Sequence, residues 1–215
     1  MNLNIIRRPF KYINCNTVYW LIGINVIIFA ATQFLGNNIR TSMTVHLSMI
    51  PIAIIQEGWI WTFVTYMFMH ADFTHILFNM LGLFIFGNQL ERQMGSKEFL
   101  LFYFVTGTLA GVFSFVVYYL TGNHIVFLMG ASGALYAVML AYAICFPDSV
   151  IYIWGILPLR APVMVLVYTG LSLFFIVTGR QGNVAHLTHL AGFGLAWLYF
   201  IARYGVSPWK RLTRR

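Results

Sequence analysis

The chain has 215 residues, 60% of them hydrophobic and 8% charged, with a mean hydropathy of +0.79. A water-soluble domain of this size would carry more apolar surface than it can hide, so the composition excludes a soluble globular protein and calls for a bilayer. The formal net charge of +8 does not point to nucleic acid, because the basic residues sit at the ends of apolar runs without clustered stacking aromatics. Anionic lipid headgroups account for them better.

Residues 1–17 form a short basic lead-in. Apolar, uncharged runs long enough to cross about 30 Å of hydrocarbon follow at 18–35, 99–120, 129–146, 161–177 and 184–202, and a sixth at 73–89 is interrupted by His75, Asn79 and Asn88. The first run is read as a retained span and not a cleaved signal, since it lacks a small-residue cleavage pattern and five more spans follow. The connection 36–72 is too apolar for a free loop and too interrupted for a span. Its aromatic section 59–70 is expected to lie half-embedded at the headgroup level of the outer leaflet. The other connections, 90–98, 121–128, 147–160 and 178–183, read as loops, and 204–215 is a basic tail.

Cationic residues flank alternate loops: Arg7, Arg8 and Lys11 precede the first span, Arg92 and Lys97 follow the second, Arg160 precedes the fifth and Arg203 follows the sixth. Such residues collect on the cytoplasmic side. The expected fold is therefore an all-α membrane protein, a six-transmembrane helical bundle over 18–203 with both termini cytoplasmic. Cys15 and Cys145 lie far apart in the chain without metal-type spacing, so neither a disulfide nor a metal site is expected from them.

Polar residues inside spans are costly and mark function or packing. The second span carries His75 and Asn79, four apart and so on one helical face; the fourth carries Ser132 and Tyr136 with the same spacing; the sixth carries His186 and His189. Alternate spans run in the same direction, which brings these residues to one layer just below the outer surface. A hydroxyl, imidazoles and an amide in one layer are the parts of an acyl-transfer site. Small residues at intervals of four, Gly133, Ala137 and Ala141 on one span and Gly192 and Ala196 on another, allow close helix approach. Taken alone, the serine between small residues reads more readily as a packing motif than as a nucleophile, and His75 is equally a structural histidine. His46 and His124, in outer connections, read as solvent-facing. His186 reads as structural or supporting, and a zinc site from His75, His186 and His189 would lack a glutamate base.

The segments HADFTHILFNM, GNQLERQMGSKEFLLFY, GASGALYAVM and AHLTHLAGF occur in one order along residues 59–200. Together they resemble the rhomboid family of intramembrane serine proteases. The resemblance implies a Ser–His dyad with Ser132 as nucleophile and His189 as general base. His189 is preferred to His186 because Gly192 follows it at the family's spacing. It further implies that His75, Asn79 and the Ser132 backbone N–H stabilise the oxyanion, that Gly130 leaves room for it, and that Tyr136 packs on the His189 ring. Glu91 and Arg92 fall in a segment resembling the family's ExxxGS loop, a structural feature. Trp61 and Thr62 stand where many members have Trp-Arg, and Ala196 replaces a glycine. Asp72 is assigned no part in a triad, so slow turnover is expected.

By the same resemblance the chain is expected to cleave single-span membrane proteins near the outer leaflet of a bacterial inner membrane, with lipids and substrate helices as partners and no cofactor or metal. Substrate entry is expected near the fifth span, beside a lid at 178–183 hinged on Gly179 and Gly182. The alternatives are a rhomboid-like non-catalytic protein that binds membrane clients, a histidine metal site, and a transporter, the last without a visible repeat.

Overall fold

The structure, a computed structural model, describes residues 7–8, 10–153, 156–178 and 183–212. Helix α1 (Thr17–Phe34) is followed by the short helices α2 (Asn37–Leu47), α3 (Pro51–Glu57) and α4 (Thr62–Thr65). Then come α5 (Phe73–Met94), with a π turn at Leu83–Gly87, and α6 (Ser96–Leu120). The second half holds α7 (Ser132–Cys145), strands β1 (Val150–Ile153) and β2 (Leu157–Arg160), α8 (Ala161–Thr178), α9 (Asn183–Tyr199) and α10 (Pro208–Leu212). Among the described residues, four helices are long and apolar enough to cross a membrane: α1, α5, α6 and α8.

Helix α7 sits at the centre. It has 14 residues, about 21 Å at 1.5 Å per residue, too short for the hydrocarbon thickness. It has no need to meet lipid, because every residue from Gly133 to Ile144 except Tyr136 is buried. The expected span at 129–146 thus resolves into an extended lead-in and a helix that begins only at Ser132. Non-helical backbone survives beside a bilayer where protein supplies its partners. Here Met49 and Leu128 exchange N–H···O bonds of 3.0 and 2.9 Å, and the Gly130 N–H donates to the Tyr66 carbonyl at 2.9 Å.

The connection 36–72 lies deeper than expected in its second half. A proline at the first turn starts α3, and Gly58, with φ 70°, ends it. After α4 the chain turns inward, and Tyr66, Met67, Met69 and His70 are buried. The Tyr66 hydroxyl donates to the Gly107 carbonyl of α6 at 2.7 Å. Its ring lies against Gly111, where a Cβ would stand 2.7 Å from Cε1. Trp59 and Trp61 stay at the periphery, stacked on each other.

Two charged anchors tie the helices together at the end that carries the chain termini. Glu91 accepts from the backbone N–H groups of Thr17 (2.6 Å) and Val18 (2.9 Å) and from the hydroxyls of Thr17 (2.8 Å) and Ser96. It therefore caps α1 from a distant part of the chain, satisfying N–H groups left open at a helix start. Glu98 is held by Arg203 through bonds of 2.7 and 2.7 Å and by the Tyr199 hydroxyl at 2.6 Å. The expected loop 90–98 is mostly helical, with Gly95 (φ 83°) alone breaking the path from α5 to α6.

The all-α expectation needs one correction. Within 147–160, β1 and β2 pair antiparallel, with Val150 opposite Arg160 and Ile153 opposite Leu157. The β-branched and aromatic run Val-Ile-Tyr-Ile favours a strand, and Ala161 N–H to Ser149 C=O at 3.0 Å closes the hairpin base.

Candidate active site

The site begins with a close helix crossing. A Cβ on Gly192 of α9 would lie 2.3 Å from the Gly133 carbonyl oxygen of α7, so only glycine permits this approach. Thr188, on the adjoining face of α9, shares a 2.6 Å hydrogen bond with Ser114 of α6. The crossing places Ser132, the first residue of α7, opposite His189: Oγ and Nε2 are 2.9 Å apart. One turn along α7, the Tyr136 ring stacks on the His189 ring, with centroids 4.1 Å apart and planes 11° from parallel. That contact fixes the imidazole orientation.

Among the described residues, His189 Nδ1 is buried without a hydrogen-bond partner, so no carboxylate completes a triad. Asp72 is engaged elsewhere, capping α5 by accepting from the His75 backbone N–H at 2.8 Å. Ser132 sits at a helix start with no capping side chain. Its neighbouring N–H groups and the positive end of the helix dipole face a nascent anion favourably.

Gly130 has φ 115°, and a Cβ there would stand 2.5 Å from His75 Nε2. Gly130 therefore keeps open the space that His75 borders. Asn79 directs one amide hydrogen to the His75 carbonyl at 2.8 Å, which leaves the second for another acceptor. His75 and Asn79 share with Ser132, Tyr136 and His189 a cavity of about 910 Å³ walled by α5, α7, α8 and α9, which Tyr168 of α8 also lines.

All six sequence-predicted site residues, Ser132, His189, His75, Asn79, Gly130 and Tyr136, thus fall in one region. His186 does not join the pair; it stacks on Phe175 of α8 at 4.9 Å and stands edge-on to His189 at 5.9 Å. Among the described residues, no three His, Cys, Asp or Glu side chains converge as metal ligands. His46 is exposed and stacked on Trp59. His124 differs from expectation: it is half-buried beside Tyr119, at 5.7 Å. The lid glycines Gly179 and Gly182 lie outside the described residues.

Sequence reasoning missed His70. It is 4% exposed and meets His75 edge to face at 5.0 Å. Burial first, then the neighbouring His75, push its pKa down to about 4. Its signal was a second histidine five residues before His75, at the end of an aromatic stretch read only as interfacial.

The rhomboid-domain family pattern matches residues 57–205. The chain is similar to the rhomboid protease GlpG of Haemophilus influenzae, 33% identical over 143 residues, covering 66% of this chain and 70% of that one. It is also similar to rhomboid-like protein 16, chloroplastic, of Arabidopsis thaliana, 30% identical over 214 residues, 92% of this chain and 62% of that one. RHOMBOID-like protein 12, mitochondrial, of the same plant is 28% identical over 178 residues, 76% and 50% of the two chains. The chain spans between 42% and 62% of the length of several curated relatives. Apolar helices around a buried central one define a helical, multi-pass integral membrane protein. The chain belongs to the rhomboid family.

Proposed function

We propose that the chain is an intramembrane serine endopeptidase working through a Ser132–His189 dyad on six membrane spans, α1, α5, α6, α7, α8 and α9, with both termini cytoplasmic. The reading that the resemblance favours places it in a bacterial inner membrane, cutting single-span proteins near the outer leaflet. The observation that carries it is the 2.9 Å approach of Ser132 Oγ and His189 Nε2, inside a cavity of about 910 Å³. Relatives named as rhomboid proteases support it.

A serine hydroxyl attacks only when a neighbour accepts its proton. His189 takes the proton as Oγ bonds to the scissile carbonyl carbon. The negative charge that forms on the carbonyl oxygen is met by the Ser132 N–H, His75 and the free Asn79 hydrogen, in the space that Gly130 leaves. The imidazolium returns the proton to the departing amine. Water then attacks the acyl ester, with His189 as base again, releasing the carboxylate and restoring Ser132. With no carboxylate behind His189, its charged form is less well stabilised than in a triad, consistent with slow turnover. The substrate helix must unwind locally, because its carbonyls are otherwise engaged in its own hydrogen bonds.

The test is cleavage of a panel of single-span membrane proteins by the purified protein, with a serine-hydrolase probe in parallel. Cleavage and probe labelling at Ser132 are expected, both lost in Ser132→Ala and His189→Ala. Unlabelled protein that retains client binding would instead favour a non-catalytic rhomboid-like protein.

A further inference from the structure

At the opposite end of α7 from Ser132, about 20 Å away by helix rise, lies a second cavity of about 350 Å³. This size falls within the range of small-molecule sites, about 300–1,000 Å³. Its apolar walls come from Phe10 on the N-terminal segment, Ile144 and Cys145 at the end of α7, and Phe200 in the π turn after α9. Arg211 of α10 closes one side and continues into an adjoining hollow of about 340 Å³ that Lys210 also lines.

The charge in this space is unbalanced. Its one lining carboxylate, Glu98, is already engaged by Arg203 and Tyr199. Among the described residues, neither Lys210 nor Arg211 has a carboxylate partner. A third cation, Arg7, packs on Gly205 next to the same hollow, its guanidinium carbon 3.4 Å from where a Cβ would stand. Two charges at the mouth and a greasy interior match a molecule with an anionic head and an apolar tail. Exposed Trp209 beside Lys210 and Arg211 adds the pairing of aromatic and cation that belongs at a headgroup boundary.

The geometry points to a binding site for an anionic phospholipid drawn from the leaflet on the side of the chain termini. Its phosphate lies against Arg211 and Lys210 and part of a chain lies against Phe10, Ile144 and Phe200. The helices that carry Ser132 and His189 both lead into this cavity, so an occupant braces them from the far end. This inference does not depend on proteolysis, and its test uses none.

The free thiol of Cys145 in the wall is a built-in reporter. The full chain with Cys15→Ser, which removes the exposed thiol, is placed in nanodiscs of phosphatidylcholine with or without phosphatidylglycerol. Maleimide labelling of Cys145 and the thermal midpoint are then followed. Phosphatidylglycerol is expected to slow labelling and raise the midpoint, since a ligand bound only by the folded state stabilises it. Neutralising Lys210 and Arg211 together (Lys210→Gln, Arg211→Gln) is expected to weaken protection by about fivefold for each cation removed, while labelling in phosphatidylcholine alone stays as in the parent. Equal labelling in both lipids overturns the proposal. So does protection that survives the double substitution, or equal protection by inorganic phosphate in phosphatidylcholine discs, which would make free phosphate the ligand.

Discussion

Replacing Gly192 by alanine tests whether the α7–α9 crossing sets the reactive geometry. The new methyl would start 2.3 Å from the Gly133 carbonyl oxygen, 3.2 Å from Tyr136 Cβ and 3.3 Å from the Ala137 nitrogen. The closest of these is rigid helix backbone, so no side-chain rotation relieves it. Restoring ordinary contact at 3.4 Å requires the helices to part by about 1 Å, at a cost of about 1–3 kcal/mol for overpacking. His189 lies on the adjacent turn and moves with the backbone, stretching its 2.9 Å bond to Ser132 beyond hydrogen-bonding range. A misplacement of that size costs about 100-fold in rate. Cleavage of a single-span substrate by purified protein measures kcat/KM, and a thermal scan in the same detergent measures stability. Gly194→Ala is the control on the same helix, because nothing lies within 4 Å of its Cβ; it should keep full activity. Wild-type kcat/KM in Gly192→Ala would refute the argument that this contact positions the dyad.

Gly130→Ala places a methyl 2.5 Å from His75 Nε2 at φ 115°; it should lower kcat by about 100-fold or more, as loss of oxyanion stabilisation does, while costing about 1–3 kcal/mol in stability. Arg203→Ala strands the buried Glu98 carboxylate and should cost about 3–5 kcal/mol in a denaturant titration. The double change Glu98→Gln, Arg203→Met, which leaves no buried charge, should recover most of that loss. For His70, the unfolded chain takes up a proton near the ordinary histidine value of about 6.5, whereas the folded chain holds the ring neutral down to about 4. The unfolded state therefore binds more protons between these values, and stability falls as pH drops through them by about 1.4 kcal/mol per unit. His70→Phe should flatten the pH dependence of the unfolding midpoint over that window, and an unchanged slope would contradict the assignment.

The candidate site's layer of polar residues could be read from the sequence because its pattern is local in spacing. His75 with Asn79 and Ser132 with Tyr136 share helical faces, and the glycine stripes that bring α7 to α9 are visible as intervals of four. The structure brings together what those intervals implied. What stayed hidden depends on residues remote in sequence. Glu98 and Arg203 are 105 positions apart, and each looked like an ordinary charge at a span boundary; nothing in hydropathy pairs them. Glu91 was recognised as structural, but its role as the cap of α1 requires a partner 74 residues away. The late start of α7 was invisible because 129–131 are as apolar as the helix that follows. Only the bonds from Leu128 and Gly130 to Met49 and Tyr66 show why that stretch stays extended. The hairpin at β1 and β2 was masked by the habit of reading connections between apolar runs as loops.

The brevity of α7 has a consequence for where a cut would fall. One end of this helix is lodged against α10 and the cavity around Cys145, so its length works as a ruler measured from that seat. With Ser132 as the proposed nucleophile, the depth of cleavage is written into the number of turns and not into the substrate's own letters. Adding or removing one turn would carry Ser132 about 5 Å along the helix axis and out of reach of His189, whose 2.9 Å approach sets the same level from α9.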